Sequence, residues 1–141
     1  MKTNIISFNK KINKDLEKKG ILAVYLFGSF AEKTNSQISD IDVAILFDNP
    51  KGSGLYDRSN TLYQKIYDIL EPVLKKYASE FDIVFLQKAS LELQANVVRF
   101  GKILFEKNPE KRQDYEERTI LEFADFEVIR EEFNNAVLAR I

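Results

Sequence analysis

Residues 24–46 read VYLFGSFAEKTNSQISDIDVAIL. One apolar block stops at Gly28-Ser29, ten largely polar residues follow, and a second block opens on Asp40-Ile41-Asp42. Short continuous apolar runs bounded by turn residues read as strands covered on both faces. The stretch therefore predicts strand, tight turn, a polar segment with room for one or two helical turns at 30–39, and a second strand over 41–47.

The flanking sequence alternates in the same way. Ile5 to Lys19 places Ile5, Ile12 and Leu16 among lysines, an amphipathic helix stopped by Gly20. Leu62, Ile66, Ile69, Val73 and Tyr77 recur at helical spacing, predicting a helix from about Leu55 to Tyr77, with a kink or boundary near Glu71 because Pro72 follows. FDIVFL reads as a third strand, with Asp82, Val84 and Leu86 on one face and Phe81, Ile83 and Phe85 on the other. A helix over Leu91–Phe100, a stop at Gly101 and the strand KILFE complete the alternation. Asn108-Pro109 breaks the chain before a charged helix from about Glu110 to Arg140, whose first turns could form a separate short helix. Strands alternating with helices, with no repeat or linker, predict one α/β domain over 1–141 with a small mixed sheet flanked by helices.

Composition narrows the chemistry. The chain has 141 residues, no cysteine and no histidine. That removes disulfides, thiolate metal sites and every mechanism using imidazole as base or ligand. Catalysis has to run on carboxylates, hydroxyls, Lys/Arg and a hard cation bound through oxygen. A net charge of −1 advertises no nucleic-acid partner. No apolar run approaches the ~20 residues of a membrane span. The polar N-terminus lacks a signal-peptide core, and cysteine-free composition favours the cytoplasm.

Within those limits the carboxylates stand out. Asp40 and Asp42, two apart on a strand, project from one face. Ionised together they repel, and a divalent cation removes the conflict. Oxygen-only ligation points to magnesium, with manganese as a working substitute. Asp82 is a lone charge in an apolar strand; beside the Asp40/Asp42 strand it would complete a site for two ions. Gly28 lets backbone approach an anion closely, and the Ser29 hydroxyl with the amides after it can donate to phosphate oxygens. Taken singly, each has a plain structural explanation: a strand start for Asp40, an edge charge for Asp82, a common Gly-Ser turn. Their conjunction favours a site.

Gly28-Ser29, ten residues, then Asp40-Ile41-Asp42 resembles the signature of the DNA polymerase beta-like nucleotidyltransferase superfamily. More narrowly, the Asp82 strand, LELQANVVRFGKILFE and the tail ADFEVIREEF make the chain similar to the minimal nucleotidyltransferase (MNT) antitoxins of HEPN–MNT toxin–antitoxin pairs. The resemblance implies a small mixed sheet flanked by helices, ATP as donor, and Mg2+ held by Asp40, Asp42 and Asp82. It places Gly28 and Ser29 at the triphosphate and makes Asp82 the general base. AMP would pass to a tyrosine hydroxyl of a HEPN ribonuclease toxin, silencing it, in a homo-oligomer or a complex with that toxin. The chain departs from the family where Arg and Gly are frequent: it has Phe30 and Lys33, with Glu32 between, so phosphate binding rests on Lys33 and backbone amides. Two further readings stay open: a small-molecule, antibiotic-type nucleotidyltransferase, for whose acceptor domain there is little room, and an antitoxin that neutralises by occlusion alone.

Outside the signature, Lys51-Gly52-Ser53-Gly54 lacks the glycine spacing of a P-loop and reads as a flexible loop, with a place near the nucleotide as its functional alternative. Asp48 and Asp57 read as solvated. Phe123, Phe126, Ile129, Phe133 and Val137 read mainly as packing on the sheet, with some left for a partner.

Overall fold

In a computed structural model describing residues 6–28 and 40–140, the apolar block ILAVYLF becomes the strand around which the sheet is laid. This strand, β1 (Ile21–Phe27), pairs antiparallel on one side with β2 (Ile41–Phe47) and on the other with β4 (Lys102–Glu106). β3 (Phe81–Phe85) adds parallel to β2, giving the order β3-β2-β1-β4. The mixed sheet expected from sequence is thus present, and its central strands are buried on both faces as their composition requires.

Alternation sorts the side chains between two helical layers. Val24, Leu26, Ile41, Val43, Ile45, Phe81 and Ile83 face α1 (Lys10–Lys18) and α2 (Thr61–Leu74), against Leu16, Ile66 and Leu70. Ala23, Tyr25, Ala44 and Leu46 face α3 (Leu91–Phe100) and α4 (Pro109–Leu138), against Val97 and Tyr115. β3 divides as its sequence predicts, with Phe81 and Ile83 in the first layer and Leu86 in the second.

Several boundaries differ, each for a local reason. α1 starts at Lys10 rather than Ile5, because the Asn9 side chain accepts from the Ile12 amide and caps the helix there. α2 starts six residues after Leu55, which stays buried from a loop. Pro72 does not stop α2 at Glu71; the helix closes two residues after it, and in the last turn the missing amide removes a single hydrogen bond. α4 is one uninterrupted helix: Pro109 occupies its first turn and Asn108 caps the Lys111 amide. The segment at 30–39 lies outside the described residues.

A polar tie crosses the second layer. The Tyr25 hydroxyl, in the middle of the sheet, donates to Glu116 Oε2 at 2.6 Å. Arg112 bridges that carboxylate at 2.8 Å and Glu106 at 2.6 Å, locking α4 to β1 and β4. Burial, reinforced by Glu116, pushes the Tyr25 hydroxyl far above its ordinary range, so it remains a donor. Tyr25→Phe should lower unfolding free energy by about 1 kcal/mol in urea titration, because Glu116 keeps Arg112 as a partner.

Candidate active site

Gly28, Asp40, Asp42 and Asp82 gather at one end of the sheet because β1 ends where β2 and β3 begin. Asp42 pairs with Phe27 across the antiparallel ladder and with Asp82 across the parallel one. Residues in register on neighbouring strands point to the same face, so the Asp42 and Asp82 carboxylates stand side by side. Asp40 comes just before β2 and is exposed. The Ile41 amide donates to the Glu80 carbonyl at 3.2 Å, tying the start of β2 to the approach of β3.

Gly28 closes the fourth side. Its φ is +82°, and a Cβ built there would stand 2.6 Å from Asp42 Oδ2. The turn therefore requires glycine twice over: for the left-handed backbone and for the space the Asp42 carboxylate occupies.

Asp42 is half buried, whereas Asp82 is exposed. Asp82, a lone charge in an apolar strand, is exposed: only the Phe81 and Ile83 side is covered, and the open end of the sheet leaves Asp82 facing outward. The strain falls on Asp42 instead. Burial pushes its carboxyl up from the ordinary 3.8, and the Asp82 and Asp40 carboxylates push it further. A carboxyl raised by folding holds its proton better in the folded state, so this group's contribution to stability is fully present at low pH and is lost as pH rises through its folded pKa. Asp42→Asn should therefore raise the Tm of the metal-free protein near neutral pH, and the gain should shrink as pH falls towards 3.8.

The donor set fits a hard divalent cation: oxygen ligands only, clustered negative charge, and one carboxyl that the other two destabilise. Among the described residues, however, no three acidic side chains are drawn into a ready-made metal cage. Ser29 and Lys33, the expected triphosphate contacts, lie outside the described residues with Phe30 and Glu32.

The structure sets aside the alternative reading of residues 51–54 as a loop near the nucleotide, and corrects the reading of Asp48 as solvated. Lys51–Gly54 sits beyond the end of β2, a strand length of ~20 Å from Asp42. Its Ser53 hydroxyl donates to the Pro50 carbonyl at 2.9 Å and accepts from the Leu55 amide at 3.1 Å, closing a turn beside a cleft of about 430 Å3. That cleft is remote from the carboxylates. Asp48 is not simply solvated: Lys107 at 3.4 Å and Lys111 at 3.2 Å pair with it, pinning the start of α4. Sequence reading missed the Tyr25–Glu116–Arg112 tie, whose one local signal is a tyrosine within an otherwise aliphatic and aromatic strand.

Comparison with known proteins agrees with this fold. Residues 10–110 match the family model described as polymerase beta, nucleotidyltransferase. Over 97 residues the chain is 33% identical to the protein adenylyltransferase MntA of Aphanizomenon flos-aquae (strain 2012/KM1/D3), covering 68% of this chain and 64% of that protein. The match thus spans just under two thirds of the relative's length. A crystal structure of a toxin–antitoxin with AMP-PNP superimposes with a TM-score of 0.62 at 26% identity, covering 91% of this chain and 96% of the other. The structure of the toxin–antitoxin MntA–HepT gives 0.57 at 25%, covering 91% and 94%. Among the described residues, no helix is long and apolar enough to cross a membrane.

Proposed function

The chain belongs to the polymerase beta nucleotidyltransferase family, and from that premise we propose that it is an antitoxin that transfers AMP from ATP to a tyrosine hydroxyl of a HEPN-class ribonuclease toxin. The observation that carries this reading is the placing of Asp40, Asp42 and Asp82 at one end of the sheet, against a glycine turn whose backbone only glycine adopts readily. The names of its relatives, a protein adenylyltransferase and toxin–antitoxin pairs, support the donor and the partner class.

In this mechanism the acceptor oxygen attacks the α-phosphorus of ATP. The bond between the α-phosphorus and its bridging oxygen breaks, and pyrophosphate leaves. Asp82, exposed beside Asp42, accepts the phenolic proton. Asp40, Asp42 and Asp82 would hold Mg2+, which supplies charge neutralisation for the triphosphate when bound. Gly28 and Ser29 approach the phosphates with backbone amides and a hydroxyl, and Lys33 adds the positive charge that Phe30 does not. Most of the rate enhancement then comes from positioning and electrostatics rather than from a covalent intermediate.

Labelled nucleotide tests this reading. With MgCl2 and a HEPN-class toxin encoded beside the chain, ATP labelled at the α-phosphate should label the toxin, and ATP labelled at the γ-phosphate should not. Label arriving only from the γ-position would make the chain a kinase and overturn the proposal.

A further inference from the structure

α4 traverses the domain and then leaves it. It starts at the end of the sheet remote from the carboxylates, where Lys111 pairs with Asp48. Tyr115 hydrogen-bonds Gln94 midway along α3, at 2.6 Å, and Phe123 lies 5.3 Å beneath the Arg99 guanidinium near the α3 C-terminus. From there the chain passes through Gly101 to Lys102, which pairs with Leu26, two residues before Gly28. The helix therefore runs towards the catalytic end. From Phe123 to Leu138 it continues for ~22 Å at the α-helical rise, and residues 124–140 are all exposed.

The projecting half is not a polar helix. Tyr115, Thr119 and Phe123 form the buried stripe of α4, and Phe126, Ile129, Phe133 and Val137 continue it in the same steps of three and four. Phe126 stacks on Phe123 at 6.3 Å, so the exposed stripe is continuous with the domain interior. Ile129 and Phe133 are 64% and 66% exposed, and Val128 and Leu138 add apolar surface beyond the stripe. This corrects the expectation that the stripe mainly packs on the sheet: the helix outruns the layer it packs on. So large a contiguous apolar surface marks a docking site.

Charge identifies the occupant. Asp125 and Glu132 border the stripe as acids, while Glu127 and Arg130 pair with each other at 2.6 Å and Arg130 also lies over the Phe126 ring. A second copy would bring like acids together, whereas a helical face that is apolar along its centre and basic along its edges would match. We propose that the free half of α4 is an arm that docks such a face on the toxin and holds the toxin's acceptor over Asp40, Asp42 and Asp82. This rests on the toxin reading above.

Ile129→Asp with Phe133→Asp tests the arm, because both side chains are exposed and the domain should keep its Tm. Calorimetric titration against the purified toxin should show affinity at least ~30-fold weaker than wild type, with ATP binding unchanged. Asp125→Lys with Glu132→Lys should weaken the complex and reduce its salt sensitivity. By light scattering the wild-type protein alone should be monomeric. Unchanged affinity in the Ile129/Phe133 variant would overturn the proposal, as would a dimer of the chain that the same variant dissolves. Wild type that binds the toxin through this arm yet transfers no AMP would sink the catalytic reading and leave the arm standing; wild type that binds no toxin would sink both.

Discussion

Asp40→Ala combined with Asp42→Ala should abolish AMP transfer, lowering its initial rate by at least ~1,000-fold while the protein remains folded. Loss of a single preorganised electrostatic group from such a site typically costs ~100- to 1,000-fold, and this variant removes two of the three carboxylates. The fold should tolerate the change for reasons visible in the structure. Asp40 is exposed ahead of β2, and Asp42 carries a carboxyl already raised by burial and by its neighbours. Removing both relieves repulsion, so Tm in the absence of metal should hold or rise. MgCl2 should raise the Tm of the wild type and leave the variant unmoved. A variant that retained a tenth of wild-type transfer would mean these carboxylates are not the metal-binding centre.

Gly28→Ala should be nearly as damaging, by a different route. Alanine at φ +82° costs roughly 1–2 kcal/mol of stability. The new methyl would also sit 2.6 Å from Asp42 Oδ2, so the carboxylate has to swing aside. Displacing one ligand by an ångström or so costs ~100-fold in rate. Gly20 supplies the control, because it too has a positive φ, +76°, but a Cβ there meets nothing within 4 Å. Gly20→Ala should thus lose comparable stability and keep full activity. Equal rates for the two variants would show that the close approach of Gly28 to Asp42 has no catalytic consequence.

The parts of this fold legible in the sequence are those fixed by local chemistry. The end of β1 and the bounds of β2, α3 and β4 match expectation because the patterns end at Gly28, Asp48, Gly101 and Lys107, where turn formers or charge interrupt them. The start of α1 was harder to see, since Ile5 keeps the helical spacing although Asn9 supplies the cap. Leu55 misled in the opposite direction, being apolar and buried yet outside α2. For α4 the positions from Tyr115 through Phe123 to Val137 keep helical spacing, but spacing cannot tell whether a stripe meets its own domain or another molecule. Length could have: 30 residues span ~45 Å, more than a small domain can cover.

The candidate site divides the same way. Spacing alone put Asp40 and Asp42 together, and Gly28 beside them followed from the turn. Bringing Asp82 into register with Asp42 required β3 to pair with β2, in parallel. That pairing is a non-local property of the order β3-β2-β1-β4, and no pattern within FDIVFL encodes it. The exposure of Asp82 was likewise hidden, because burial of the strand's other face makes all its residues look interior. The pairing of Asp48 with Lys107 and Lys111 joins residues ~60 apart in the chain, beyond any local signal.

In the proposed function the protein transfers AMP to a tyrosine of a partner toxin, using three carboxylates at one end of the sheet. Intact-mass and peptide mass spectrometry of that toxin, after incubation with ATP, MgCl2 and this protein, tests it most directly. The expected result is an increase of one or more AMP units mapped to a tyrosine, absent with Asp40→Ala/Asp42→Ala and absent when EDTA replaces MgCl2. A toxin of unchanged mass whose ribonuclease activity is nevertheless silenced by the wild-type protein would contradict the claim and leave binding as the whole of its action.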